Sequence, residues 1–264
     1  MTASPKPIED ELRVERGDGI ARLTLDRPAT RNALSLALME RLDRELAELA
    51  RDPAIKVVVI AAEGPAFSAG HDLKELRGAD RAMLTRIFET CSRLMTRIVD
   101  LPRPVIAEVG GMATAAGCQL VASCDLAIAS TGARFATPGV NIGLFCSTPM
   151  VALSRAVGRK QAMEMLLTGD PVDAETAVAL GLVNRAVPAA ELRQAVDALA
   201  TSIAAKSPLT VAIGKEAFYR QIEMPLAEAY RYTAEVMVRN MLARDAAEGI
   251  DAFIAKRQPV WSGE

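Results

Sequence analysis

The chain is poor in the residues that build metal centres and covalent frameworks. It has one histidine, His71, and four cysteines, Cys91, Cys118, Cys124 and Cys146, none of them in a CxxC pair. A lone imidazole argues against a multi-histidine metal site and gives any Ser-His-Asp triad one place to form. The cysteines read as reduced small hydrophobes of an intracellular, cytoplasmic protein rather than as a disulfide framework. No run of about 18 apolar residues occurs, so no membrane span is expected. The amino terminus, MTASPKPIEDELRVERGDG, lacks the apolar stretch of a signal peptide. A net charge of -2 gives no electrostatic reason for a nucleic-acid or anionic-membrane partner, and still permits a local basic cluster that binds a phosphorylated ligand.

What remains is an ordinary globular composition, 50% hydrophobic and 24% charged over 264 residues. Such a chain buries a sizeable core as one α/β domain or two small ones. Leu12 to Arg16 and Ile20 to Leu25 alternate as two strands, with Gly17-Asp18-Gly19 as a hairpin turn. Ser35 to Leu49 repeats Leu36, Met39, Leu42, Leu46 and Leu49 at helical spacing. Lys56 to Ala62 holds the apolar run Val57-Val58-Val59-Ile60 of a strand buried on both faces, and Glu63 to His71 reads as a loop. Asp80 to Val99 is a second long helix, Pro104 to Val109 another buried strand, and Gly110 to Gly117 another small-residue loop. A short helix, Cys118 to Ser123, and a strand, Leu126 to Ser130, follow. Strand, loop and helix in that order imply crossovers and a largely parallel sheet.

From Pro149 the pattern is almost wholly helical: Arg159 to Leu167, Ala174 to Leu180, Ala189 to Lys206, Pro208 to Arg220, Pro225 to Arg239 and Ala243 to Lys256. The division falls near residues 200 to 207, into a core over 1–200 and a helical tail over 201–264.

Two loops stand where ligand chemistry would sit, Ala66 to Leu73 and Gly110 to Gln119. Small residues at a strand-to-helix turn let a ligand approach the backbone, and helix starts offer unpaired N–H groups. The same residues also serve tight packing alone.

The segments RPATRNALS, AFSAGHDLKEL, GGMATAAGCQLVASCDLAIAS and EGIDAFIAKRQPVW lie in the order and spacing of the crotonase (enoyl-CoA hydratase/isomerase) superfamily, which the chain resembles over about residues 10 to 260. ATAAGCQLVASCD and FATPGVNIGLFCSTP look closest to its glutamate-deficient members, the enoyl-CoA hydratase domain-containing protein 3-like group. The resemblance implies an α/β fold, a spiral of ββα units with a C-terminal helical trimerisation region. It implies an acyl-CoA thioester as ligand, no cofactor beyond the CoA of the substrate, and a homotrimer or dimer of trimers. It also implies that two backbone N–H groups hold the oxygen of a thioester enolate, and by motif position these would be Ala69 and Ala116, with Gly70 between turn and ligand. Ala116 stands where hydratases usually have glycine, so restricted backbone is expected there.

The acid/base positions depart from the hydratase pattern. The family glutamate of the G-C-E run is Gln119, and the glutamate that follows proline is Gly139, after Pro138. Hydration needs a base for water and an acid for the α-carbon, each contributing about 10²–10⁴-fold. An amide accepts no proton at neutral pH. Gln119 could still hold a water.

Other groups are open to that work or to mere lining. Dihydroxynaphthoyl-CoA synthases resemble the chain in having glycine at the second position, where they bind bicarbonate. The aspartate of dienoyl-CoA isomerases matches Ser147, and Cys146 lies beside it. His71, in the first loop, titrates in the range of proton transfer, or contacts solvent or CoA. Asp72 reads as a helix cap; Glu63, Glu75 and Glu89 have no assigned part. Arg31, Ala33 and Leu34 match the family segment along CoA. Phe253 and Lys256 match the aromatic and lysine that reach the nucleotide from a neighbouring subunit, and alone would read as core and helix-end cation.

Overall fold

A computed structural model describes residues 11–264. Part of the amino-terminal segment read above, and the start of the expected 1–200 core, lie outside the described residues.

Strands β1 (Leu12–Gly17) and β2 (Ile20–Leu25) form the expected hairpin. Its turn residues Asp18 and Gly19 both have positive φ, 52° and 79°, as a two-residue type I′ connection requires. Helix α1 (Leu36–Leu49) is capped by Ser35 and turns Leu38, Met39, Leu42 and Leu46 inward. There follow β3 (Val57–Ala62), β4 (Ala66–Ser68), α2 (Leu73–Leu76), α3 (Arg81–Asp100), β5 (Val105–Val109), β6 (Met112–Thr114) and α4 (Ala116–Ser123). Then come β7 (Leu126–Ser130), β8 (Arg134–Ala136), a 3-10 turn (Pro138–Ile142), α5 (Pro149–Ala156), α6 (Arg159–Thr168), β9 (Val172–Asp173) and α7 (Ala174–Leu180). The chain ends with β10 (Arg185–Val187), α8 (Leu192–Ala204), α9 (Pro208–Gln221), α10 (Leu226–Met241) and α11 (Arg244–Ile254).

A six-stranded sheet runs in the order β1-β2-β3-β5-β7-β10 and is parallel from β2 onward. A second sheet runs β4-β6-β8-β9, with β4, β6 and β8 parallel. The three units that begin at β3, β5 and β7 each place a strand in the large sheet, a strand in the small one, and then a helix. The spiral of ββα units is present. The two segments read as loops, 63–71 and 110–117, each contain a three-residue strand of the small sheet. The stretch from Pro149 is interrupted by β9 and β10. Strands of two or three residues carry no readable period, which is why the sequence pattern passes over them.

One face of the large sheet packs against α1 and α3, the other against Leu192, Val196, Ala200 and Ala204 of α8. The chain breaks after α8 at 205–207 before α9. Among the described residues no single helix is long and apolar enough to cross a membrane; α8 and α9 together pass by length and composition but meet at 103°.

A buried ion pair fastens the tail to the core. Lys215 of α9 donates to Asp125 at 2.7 Å and to the carbonyls of Ile98 and Arg103 at 2.8 and 3.0 Å. The Tyr219 hydroxyl donates to the other Asp125 oxygen at 2.9 Å. Removing one member of such a pair strands the other charge away from water. Asp125→Ala is therefore expected to cost about 3–5 kcal/mol in urea unfolding; a loss below about 1 kcal/mol, the size of a surface pair, would contradict the fastening role.

Candidate active site

The first turn is strapped to the segment before α1. The Ala69 N–H donates to the Arg31 carbonyl at 2.9 Å, the Leu34 N–H to Gly70 at 2.8 Å, and the Asp72 N–H to Leu34 at 3.3 Å. Leu34 and His71 thus form a parallel bridge. In such a bridge, successive main-chain groups face opposite sides. His71 turns its own N–H away from the strap, and among the described residues it makes no hydrogen bond. Gly70, at φ +86°, takes a conformation that other residues rarely adopt. Asp72 caps α2, accepting from Lys74 N–H at 3.0 Å. One expectation is corrected here: the Ala69 N–H is already bonded within the chain, and the free amide of this turn belongs to His71.

The second turn joins β6 to α4. Ala116 is the first residue of α4, so its N–H has no partner inside the helix. Just before it, Ala115 sits at φ 50°, ψ −118°. A non-glycine residue there costs about 1–3 kcal/mol. The backbone restriction expected at Ala116 falls instead on Ala115, whose N–H is fixed to the Ala136 carbonyl at 2.9 Å.

The two turns touch through their main chains. A Cβ on Gly70 would lie 2.9 Å from the Ala115 Cβ and 3.2 Å from the Ala116 nitrogen. A Cβ on Gly117 would lie 2.3 Å from the Ser68 carbonyl oxygen. These approaches bring the unbonded amides of His71 and Ala116 onto abutting segments.

The acid/base positions are occupied differently. Gln119 is buried on α4, and its side-chain oxygen accepts from the Cys91 thiol at 3.7 Å. Burial pushes the Cys91 thiol up to about 12, so it keeps its proton. At Gly139, a Cβ would meet the Leu144 carbonyl oxygen at 2.6 Å and the Cys146 sulfur at 2.9 Å. The space beside Gly139 is filled by the chain's own 144–146 segment. Cys146 is buried, with its thiol pushed up by desolvation, while Ser147 is exposed and donates to the Phe145 carbonyl at 3.3 Å.

The His71 ring packs edge-on against Phe88 of α3, centroids 5.3 Å apart. Both ring nitrogens are closed to solvent and lack a hydrogen bond among the described residues. Burial lowers the imidazole pKa, and the nearby Leu34 carbonyl offsets only part of that effect. The ring is therefore neutral at pH 7, with an unsatisfied donor and acceptor.

Around this centre, Arg31 is exposed with φ 53°, while Ala33 and Leu34 are buried, and the Leu34 N–H and carbonyl are both taken by the strap. Phe253 is exposed and Lys256 follows the end of α11. Of the unassigned glutamates, Glu75 accepts from the Leu36 N–H at 2.8 Å, Glu63 pairs with Arg13, and Glu89 is exposed. Sequence reasoning missed Phe88, Cys91 and Leu144. The first two share one side of α3 by their three-residue spacing, a signal that could have found them. Leu144 acts through its carbonyl, which no side-chain pattern reveals.

The family model for Enoyl-CoA hydratase/isomerase matches residues 15–264. Enoyl-CoA hydratase domain-containing protein 3, mitochondrial, of Xenopus laevis is 52% identical over 252 residues, covering 94% of this chain and 85% of that protein. The crystal structure of human enoyl Coenzyme A hydratase domain-containing protein 3 is 50% identical with TM-score 0.93, covering 95% of this chain and 100% of that one. An enoyl-CoA hydratase structure from Mycobacterium smegmatis is likewise 50% identical with TM-score 0.93, covering 95% and 98%.

Two outcomes follow from the site. Gly139→Glu forces a side chain into backbone and should destabilise by at least about 1–3 kcal/mol in urea unfolding; a fully stable variant would mean the 144–146 segment yields. The second concerns pH. The folded His71 pKa lies below the unfolded value, so above about pH 6.5 both states are neutral and the residue adds no slope. Below it the unfolded chain takes up a proton first, and stability falls with pH. His71→Leu should flatten that fall in unfolding measured at stepped pH, and parallel curves for the two proteins would refute the buried neutral ring.

Proposed function

The chain belongs to the enoyl-CoA hydratase/isomerase family, and on that premise we propose that it processes acyl-CoA thioesters through an enolate held by the main-chain N–H groups of His71 and Ala116. The reading is carried by one observation: two unbonded amides on turns in main-chain contact. Donors about 2.7–3.1 Å from a developing oxyanion, fixed before reaction, are usually the largest electrostatic contribution to such chemistry. The strain at Ala115 supports it, because a costly dihedral held by the β6–β8 pairing aims the Ala116 amide.

The proton inventory favours isomerisation over hydration. Hydration has two proton tasks. Gln119 has no proton to trade at neutral pH, and Gly139 has no side chain and no room for one. The neutral His71 imidazole is one base. One base suffices to shift a double bond: it takes a proton from C2 of a 3-enoyl thioester, the electron pair delocalises onto the thioester oxygen as a dienolate, and the same proton returns at C4. To do this the ring must turn away from Phe88, since both nitrogens are now covered. That covering favours a second reading, an acyl-CoA binder without turnover.

The assembly we propose is a homotrimer or dimer of trimers. Leu226, Tyr230, Val238, Leu242, Phe253 and Ile254 of the last helices and their joints are apolar and exposed, as faces awaiting another copy are. Phe253 and Lys256 would then reach the nucleotide end of CoA in a neighbouring subunit, and Arg31 the CoA phosphates. The compartment we propose keeps the four buried thiols reduced: the cytoplasm, or the mitochondrion, since the name of the Xenopus laevis relative reads mitochondrial.

Incubation with a 3-enoyl-CoA and mass spectrometry of the products tests the reading. The expected product is the 2-enoyl isomer of unchanged mass. A product heavier by one water would contradict it, and binding without any product would favour the binder.

A further inference from the structure

The His71 amide owes its freedom and direction to the strap before α1, and that strap hangs on one buried side chain. Asn32 is fully buried, at φ 53°. Its side-chain oxygen accepts from the Arg27 N–H at 2.7 Å; its side-chain nitrogen donates to the carbonyls of Glu63 at 2.8 Å and Ala66 at 2.7 Å. Its own N–H donates to the Arg27 carbonyl at 2.9 Å. Asn32 thereby ties the 27–34 turn to the two ends of the connection that leads into β4.

Residues on either side of Asn32 in the turn contact the site's main chain. Arg31 receives the Ala69 N–H, and Leu34, two residues on, bridges His71. The Arg27 guanidinium reinforces the arrangement: it pairs with Glu11 at 2.9 Å, donates to the Ala33 carbonyl at 2.8 Å, and lies 3.7 Å from Asp72. The left-handed backbone at Asn32 is one that asparagine tolerates better than most residues. Packing alone would be met by an apolar side chain. Three hydrogen bonds from one buried side chain, all to main-chain groups, fix position instead.

We infer that Asn32 is a positioning residue for the reaction: its three side-chain hydrogen bonds hold the strap in the register that leaves the His71 N–H unbonded and aimed at the thioester oxygen. This rests on the proposed pair of amide donors. Asn32 touches no substrate in this account; it acts through the Leu34–His71 bridge.

The test uses the intact protein with butyryl-CoA carrying carbon-13 at the thioester carbonyl. Infrared difference spectroscopy reads how far binding lowers the carbonyl stretch, and Asn32→Gly keeps the left-handed backbone while deleting the side chain. A lowered stretch in the parent protein, lost in Asn32→Gly while butyryl-CoA still binds, supports the inference. Exchange of the C2 protons for deuterium should fall in parallel by about 10²-fold, the effect of losing one oxyanion donor. An Asn32→Gly spectrum matching the parent overturns the inference and leaves the donor pair standing. No lowering in the parent itself overturns the donor pair. If Asn32→Gly does not fold, Asn32→Ser, which keeps an acceptor for the Arg27 N–H, decides by the same readout.

Discussion

The main-chain contact between Gly70 and the Ala115–Ala116 peptide governs the rest of the structure. It exists because β4 and β6 run parallel in the small sheet and deliver their turns side by side. It is tight because Gly117 lets α4 press its first turn against the Ser68 carbonyl. It costs energy, taken up at Ala115, whose dihedrals are those of a glycine. Ala115 itself is half-buried against the core. A fold that tolerates that cost is one in which the direction of a peptide N–H matters.

The side chains around this contact have the opposite character. At the two positions where the resemblance implies hydratase carboxylates, the chain has an amide turned to a thiol and a glycine backed by a carbonyl. The second position is occupied by the chain's own backbone, so restoring a glutamate there is a matter of moving a segment. This separates the two halves of the family's chemistry. On the proposed reading, stabilising an enolate needs only backbone, the unbonded amides of His71 and Ala116. Moving two protons needs side chains, and one neutral imidazole is what the centre offers.

The hairpin, α1, the buried strands β3, β5 and β7, and the long helices were legible in the sequence because each spans enough residues for a period or an apolar run. The small sheet was not. AFS, MAT and RFA are three-residue strands built partly of residues that read equally well as loop. The two turns were found from their small residues, and Ala116, Gln119 and Gly139 from motif position. The unbonded amide of the first turn lies two residues beyond Ala69, the position that the motif suggested. Which amide of a turn is free depends on the partner strand, and the strap through Leu34 lies 37 residues before His71 in the sequence. Likewise the filling of the Gly139 space comes from a carbonyl, and the orientation of Gln119 from a cysteine on another helix.

The most direct measurement is a crystal structure with a non-hydrolysable acyl-CoA thioester analogue bound. The account requires the carbonyl oxygen to lie about 2.7–3.1 Å from both the His71 and the Ala116 nitrogens, with the Ala69 nitrogen still bonded to Arg31. An oxygen held by Ala69, or by only one of the two amides, would contradict it.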